Sequence, residues 1–374
     1  DEIPFKDVYF TSILRDSTGR KLSKSLGNSP DPIELFEKYG TDATRFSIML
    51  MSPQGSDVYF SENSLEIGRN FMNKIWNASR FIMINHDDNF SETIDEDSLD
   101  NYDKWILSKF DTTLEKVNMH YSNYQFNEAI KVIYDFTWNE FCNWYIEIAK
   151  IKFNSSDQLE KNNTFLVARD ILKKVLLILH PISPFITEEI WSYLKNRDDK
   201  DIIVSSWPKM RAEGLPYNED RVTSLKEIVV SIRTIRSELN VPPTKKIDAL
   251  ISIRDSSDKS LFDDLKSMIM SLTNLESLNI EVNLDKPDQS AVGICKNCVV
   301  YVPLGDLVNP EEEILKLNKR LEEIDGFIKG IETKLSNKAF TDKAPEKIVN
   351  HEKSKLDDFI IEREKIIANI EMLK

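Results

Sequence analysis

Hydrophobic and polar side chains alternate over residues 7–16, and this period of two predicts a β-strand. A polar loop follows over residues 16–28. Two short helices are expected next. The first begins at the N-cap Asp31 with a proline in its first turn and ends at Gly40, and the second covers about residues 42–51.

Between about residues 61 and 194, hydrophobic positions recur at intervals of three and four, which is typical of amphipathic helices. Polar segments at 87–101 and 154–163, together with two prolines after residue 180, interrupt the pattern. Four or five helices with short connections predict an antiparallel bundle. Its expected core includes Phe71, Ile75, Trp105, Ile106, Phe110, Leu114, Val117, Ile133, Ile171, Leu172 and Val175.

The period changes to two after a loop over residues 195–218 and a helix over about 219–240. Ile247, Ala249, Ile251 and Ile253 alternate with other residues and predict a strand. This pattern predicts a small α+β unit, whose remaining elements are a helix at about 258–272 and short strands near 277–282, 290–295 and 298–304.

Beyond residue 310, hydrophobic positions step by three and four in a heptad pattern. A break near residues 336–345 separates two seams of nearly equal length, which predicts an antiparallel coiled-coil hairpin. The first seam runs from Ile314 to Leu335 and the second from Val349 to Leu373. We therefore expect a mainly α fold with four parts: residues 1–60, 61–215, 216–306 and 307–374.

Composition narrows the class of protein. With 49 basic and 63 acidic side chains the net charge is −14, which disfavours indiscriminate binding to nucleic acid through counterion release. No apolar run is long enough to span a membrane, and three cysteines are too few for a disulfide framework. We therefore expect a cytoplasmic protein. The chain has only 10 glycines and begins at Asp1, so we also expect a portion of a longer protein.

Residues 19–28, Gly-Arg-Lys-Leu-Ser-Lys-Ser-Leu-Gly-Asn, carry the most informative chemistry. Lys21 and Lys24 lie three positions apart, and Ser23 and Ser25 add small hydroxyls. Such a loop suits a polyphosphate, because ammonium groups and hydroxyls can follow charge as it moves onto phosphate oxygens. An ordinary solvated surface loop explains the same residues.

This loop resembles the KMSKS signature of class I aminoacyl-tRNA synthetases, with Leu22 at the Met position. A Leu for Met exchange conserves an apolar side chain of similar volume. Further stretches resemble the valine-specific members of that family: residues 69–81, 138–145, 180–191, and the segment from Lys334 to Val349 around the hairpin tip. The isoleucine and leucine relatives share the loop signature and remain an alternative.

The resemblance implies that ATP and valine form valyl-adenylate and that valine tRNA then accepts the valyl group. It assigns Lys24 to the ATP phosphates and the leaving pyrophosphate, Lys21 to a secondary role, and Ser23 and Ser25 to phosphate contacts. Mg²⁺ is expected with ATP, and no metal held by the protein is expected. No HIGH signature is present in these residues, so we expect the chain alone not to form adenylate. Residues 1–60 would be the trailing edge of the catalytic domain.

The resemblance also implies contacts with tRNA on three elements, and each has an ordinary structural explanation. Arg69, Lys74 and Arg80 lie on one predicted helix and could contact phosphates. Asn139 and Asn143 are candidate base readers, whereas Trp138, Phe141 and Tyr145 are spaced as a core stripe. Near the hairpin tip the candidates are Lys334, Lys338, Lys343 and Lys347.

Cys295 and Cys298 flank an expected two-residue turn and could suggest a metal or redox site. A single CxxC without a second pair is weak evidence, so we favour a structural role for these cysteines. A different class of protein also remains open at this point. The chain could be a non-catalytic helical interaction protein that dimerises through its coiled coil, although we expect a monomer.

Overall fold

The computed structural model describes residues 4–196, 199–305, 310–336 and 346–373. The chain divides into two compact units, Asp1–Val222 and Thr223–Lys374. The division into four parts made from the sequence stays a prediction. Among the described residues, no helix combines the length and the hydrophobicity that a membrane crossing requires.

The first unit opens with two very short strands. β1 (Leu14–Arg15) pairs in parallel with β2 (Val58–Tyr59), and α1 (Pro32–Tyr39) and α2 (Thr41–Leu50) lie between them in sequence. The strand predicted over residues 7–16 was therefore too long. Among the described residues this segment pairs with β2 and, through an isolated bridge, Arg15 pairs with Lys21. The preceding Val8 and Phe10 are 67% and 81% exposed.

A helical bundle follows, as the periodicity predicted. It consists of five rods, because α5, a π-helix and α6 form one continuous rod. The elements are α3 (Leu65–Ile84), α4 (Asn101–Ser122), α5 (Phe126–Asp135), the π-helix (Phe136–Tyr145), α6 (Ile146–Lys152), α7 (Gln158–Leu179) and α8 (Pro184–Leu194). Trp105, Ile106 and Phe110 are at most 1% exposed, in agreement with the predicted core.

Carboxylate caps fix where the two longest bundle helices begin. The Asp100 side chain accepts hydrogen bonds from the amides of Tyr102 and Asp103, and Asp157 accepts one from Leu159. These bonds satisfy amides that have no partner within the helix. The polar segment predicted over 154–163 was therefore too long, because its second half forms the first turn of α7.

A buried ionic cluster joins α4 to the rod that contains the π-helix. The Lys152 ammonium donates to both oxygens of Asp103 at 2.8 Å and lies 3.0 Å from Asp100. The Tyr145 hydroxyl donates to Asp103 at 2.7 Å. Lys152, Asp103 and Tyr145 are at most 2% exposed, so each depends on the others to satisfy its polar atoms.

The second unit contains most of α9 (Glu219–Glu238) and a four-stranded sheet in the order β4-β3-β6-β5. β3 (Ile247–Ile253) pairs in parallel with β4 (Leu275–Val282) through the crossover helix α10 (Lys259–Thr273). β6 (Cys298–Pro303) runs antiparallel to β3 and to β5 (Ser290–Ile294). The alternation read from the sequence is confirmed, since Ile247, Ala249, Ile251 and Ile253 are at most 3% exposed.

Two long helices, α11 (Pro310–Ser336) and α12 (Glu346–Leu373), form the predicted hairpin. Ion pairs of Arg320 with Glu362 and of Lys334 with Glu352 show that the helices run antiparallel. Ile324, Ile366 and Ile370 form the buried seam, which confirms these heptad positions. The tip, residues 337–345, lies outside the described residues.

Candidate functional site

The loop after β1 is held in shape by one aspartate and one asparagine. Asp16 accepts hydrogen bonds from the Thr18 hydroxyl at 2.6 Å, the Asn28 amide at 2.9 Å and the Arg20 backbone. The hydrogen bonds from Thr18 and Asn28 hold the pKa of Asp16 well below its usual range. This carboxylate therefore stays charged and occupied with the loop itself.

Asn28 closes the loop across its whole length. Its Nδ2 donates to Asp16 and, at 3.2 Å, to the carbonyl oxygen of Lys21, while its Oδ1 accepts from the Ser23 amide at 2.9 Å. Sequence reasoning missed the roles of Asp16 and Asn28. Their position at the two ends of the polar loop was the available signal, because Asp and Asn commonly organise turns.

The candidate phosphate ligands all lie on this loop. Lys21 and Lys24 are exposed, and their ammonium groups have no hydrogen bond or ion pair among the described residues. The Ser23 and Ser25 hydroxyls lie 2.8 Å apart. A short 3₁₀ turn, Lys24–Leu26, ends at Gly27, whose φ of 67° favours glycine. The structure thus brings together two available cations and two hydroxyls, a set suited to an anion.

The three basic residues predicted on α3 have different surroundings in the structure. Arg69 forms an ion pair with Glu66 at 2.5 Å, and Arg80 is exposed. Lys74 is half-buried, donates to Asn143 Oδ1 at 2.9 Å and lies 5.4 Å from the Trp138 ring. Two predicted tRNA contacts, Lys74 and Asn143, are therefore hydrogen-bonded to each other in this structure.

The π-helix changes which side chains face the core. Phe141 and Tyr145 are fully buried as predicted, but Trp138 is half-buried and stacks on Tyr134. The expected stripe assumed 3.6 residues per turn, whereas a π-helix has wider turns with i→i+5 hydrogen bonds. Asn139 is exposed and lines a groove of about 430 Å³, whose charged residues are Lys109, Lys116, Asp135 and Glu140.

Only part of the predicted arm cluster can be described. Lys334 donates to Glu352 at 2.9 Å. Lys338 and Lys343 lie outside the described residues, as does the side chain of Lys347, although its backbone belongs to α12. The tRNA contacts of these residues, and of those on α3 and the π-helix, stay predictions.

Comparison with known families adds independent evidence. Residues 1–61 match tRNA synthetases class I (I, L, M and V), and residues 103–251 match the anticodon-binding domain of tRNA ligase. Residues 309–374 match the valyl tRNA synthetase tRNA binding arm. The chain belongs to the valyl-tRNA synthetase family. This finding confirms the resemblance and disfavours the interaction-protein alternative.

Bacterial valyl-tRNA synthetases are similar along nearly the whole chain. The valine–tRNA ligase of Bacillus cereus is 39% identical over 98% of this chain and 42% of its own length. That of Fusobacterium nucleatum is 39% identical over 94% and 40%, and that of Listeria monocytogenes 36% identical over 100% and 42%. The chain therefore spans about two fifths of the length of these relatives.

Proposed function

We propose that this chain supplies the ATP-phosphate loop and the tRNA-binding surfaces of a valine–tRNA ligase, an enzyme that uses ATP to join valine to its tRNA. One observation carries this proposal. A KMSKS-like loop with two available ammonium groups occurs in the same chain as an anticodon-binding domain and a valine-type arm. A helical interaction protein would need none of these features together.

Electrostatics explains how the loop would contribute to adenylate formation. When the valine carboxylate attacks the α-phosphorus of ATP, the bond to pyrophosphate breaks and negative charge moves onto the leaving group. The ammonium groups of Lys24 and Lys21 would stabilise that charge without transferring a proton. The hydroxyls of Ser23 and Ser25 would orient the phosphates.

The loop residues Lys21, Ser23, Lys24 and Ser25 fit a polyphosphate. Among the described residues, no three His, Cys, Asp or Glu side chains cluster in a way that could hold a metal ion. We infer that Mg²⁺ would arrive bound to the ATP phosphates and that Lys24 and Lys21 would neutralise the remaining charge. A pyrophosphate-exchange assay on the chain alone should show no activity, and robust exchange would refute that expectation.

Binding of tRNA tests the proposal directly. Fluorescence anisotropy should show that the chain prefers valine tRNA over a non-cognate tRNA by about tenfold or more, about 1.4 kcal/mol. Sedimentation velocity on the same sample should show a monomer. Equal affinity for both tRNAs would contradict the proposal, and a dimer without tRNA binding would favour the interaction protein.

A further inference from the structure

Two cysteines, Cys295 and Cys298, lie at the turn between β5 and β6. The Cys295 amide donates to the Cys298 carbonyl oxygen at 3.0 Å, so the two residues face each other across Lys296 and Asn297. Directly opposed residues of a hairpin have their side chains on the same face, so the two thiols are neighbours. Both cysteines are unbridged.

Close packing of α9 holds this pair in place. A Cβ added at Gly293 would lie 1.8 Å from the Ser231 hydroxyl oxygen and 3.3 Å from Ile235. A larger side chain at this position would have to displace the Ser231 side chain, so glycine allows the helix to approach the hairpin this closely. The Glu227 carboxylate, one turn earlier on α9, accepts a hydrogen bond from the Lys296 amide at 3.0 Å and anchors the turn itself.

We propose that Cys295 and Cys298 form a reversible dithiol–disulfide pair that reacts with low-molecular-weight disulfides. Opposed residues of a hairpin turn have the Cα separation that a disulfide needs. A metal site is the weaker explanation, because no third His, Cys, Asp or Glu ligand joins the pair among the described residues. A purely structural role, as predicted from the sequence, would not require two neighbouring thiols at this turn.

Burial and hydrogen bonding distinguish the two thiols. Cys295 is 7% exposed and Cys298 is 1% exposed, so Cys295 is the more accessible nucleophile. Hydrogen bonds from Cys298 and Ser231 lower the pKa of Cys295, although burial and the Glu227 carboxylate oppose this effect. The hydrogen bond to Cys295 and burial raise the pKa of Cys298. This asymmetry favours Cys295 as the attacking sulfur.

The exchange balances in two steps. The Cys295 thiolate attacks one sulfur of the small disulfide, whose S–S bond breaks and releases one thiolate that takes up a proton. The Cys298 thiolate then attacks the Cys295 sulfur and releases the second small thiol. The protein loses two protons and two electrons, and the small disulfide becomes two thiols.

Intact-mass and thiol-counting measurements on the whole chain test this inference with oxidised glutathione as the probe. Two of the three thiols should disappear, the mass should fall by two hydrogens, and dithiothreitol should restore both. Cys142 is the internal control, because it is 2% exposed and the other two cysteines belong to the second unit, so it has no disulfide partner within its own unit and should remain reduced. Oxidation of the Cys142 thiol, a stable glutathione adduct on the unmodified sequence, or no reaction would each overturn the inference.

Two single variants define the order of attack. Cys298→Ser should stop at a glutathione adduct on Cys295, whereas Cys295→Ser should form no adduct. Circular dichroism spectra matching the parent chain would show that both variants are folded. An adduct on Cys298 in the Cys295→Ser variant would contradict the assignment of Cys295 as the nucleophile. None of these readouts depends on tRNA or ATP, so they remain informative if the proposed function fails.

Discussion

Asn28 shows how much a single polar side chain contributes to the phosphate loop. It forms hydrogen bonds with Asp16 at the start of the loop and with Lys21 and Ser23 in its middle. Lys21 and Lys24 have no such ties from their ammonium groups among the described residues. The chain thus holds the backbone of the loop in place and leaves the cationic side chains available.

We expect Asn28→Ala to loosen this loop without unfolding the chain. The change removes three hydrogen bonds, each with a net value of about 1 kcal/mol. Amide hydrogen exchange at Ser23 should accelerate by about tenfold or more, since a tenfold change is about 1.4 kcal/mol. Ser17→Ala, an exposed substitution in the same loop, is the control. Unchanged exchange at Ser23 would show that Asn28 does not hold the loop.

At the scale of elements, the sequence predicted long periodic segments well and segments with unusual hydrogen bonding poorly. The bundle, the Ile247–Ile253 strand and the Ile324 seam followed from spacing alone. The exposure of Trp138 could not be predicted, because nothing in the residue pattern indicates a π-helix. The pairing of Lys74 with Asn143 could not be predicted either, because it joins helices 69 residues apart.

The buried cluster that joins α4 to α6 could not be predicted from the sequence either, because its residues are also distant along the chain. Lys152→Met should destabilise the first unit by about 3–5 kcal/mol, because Asp103 would remain buried without its cation. The midpoint of urea unfolding, followed by far-ultraviolet circular dichroism, measures the destabilisation. Lys150→Met removes only an exposed pair with Glu147, so its effect should stay below about 1 kcal/mol.

This destabilisation should depend on pH in a defined direction. Burial raises the pKa of Asp103 to about 6 even with Lys152 present, and removing the cation raises it further. An aspartate with a raised pKa in the folded state holds its proton more tightly there than in the unfolded chain, where its pKa is about 4. The folded state therefore loses stability as pH rises from about 4 through the folded-state pKa. The free energy of unfolding of Lys152→Met should therefore be closest to that of the parent chain near pH 4.5 and furthest below it at pH 8. An equal difference in the free energy of unfolding at both pH values would exclude Asp103 as the cause.

For the whole molecule, the net charge of −14 requires that any attraction to tRNA be local. The groove beside Asn139 contains Lys109 and Lys116 but also Asp135 and Glu140, so its charges cancel, whereas the loop after β1 presents Lys21 and Lys24. The arm is the second basic region, with Lys334, Lys338, Lys343 and Lys347 toward its tip. Attraction confined to such local groups of lysines favours a specific polyanion over nonspecific nucleic acid.

The arm offers the sharpest test of this arrangement. Changing its four tip lysines to alanine should weaken binding of valine tRNA and flatten the salt dependence, by about one unit of log–log slope for each phosphate that no longer pairs with a lysine. A matched variant replaces Lys319, Lys329, Lys353 and Lys355, four exposed lysines elsewhere on the hairpin, and carries the same change in charge. If general attraction dominates, both variants should bind valine tRNA equally weakly. A larger decrease in affinity for the tip variant alone would place the tRNA contact at the tip, as the proposed function requires.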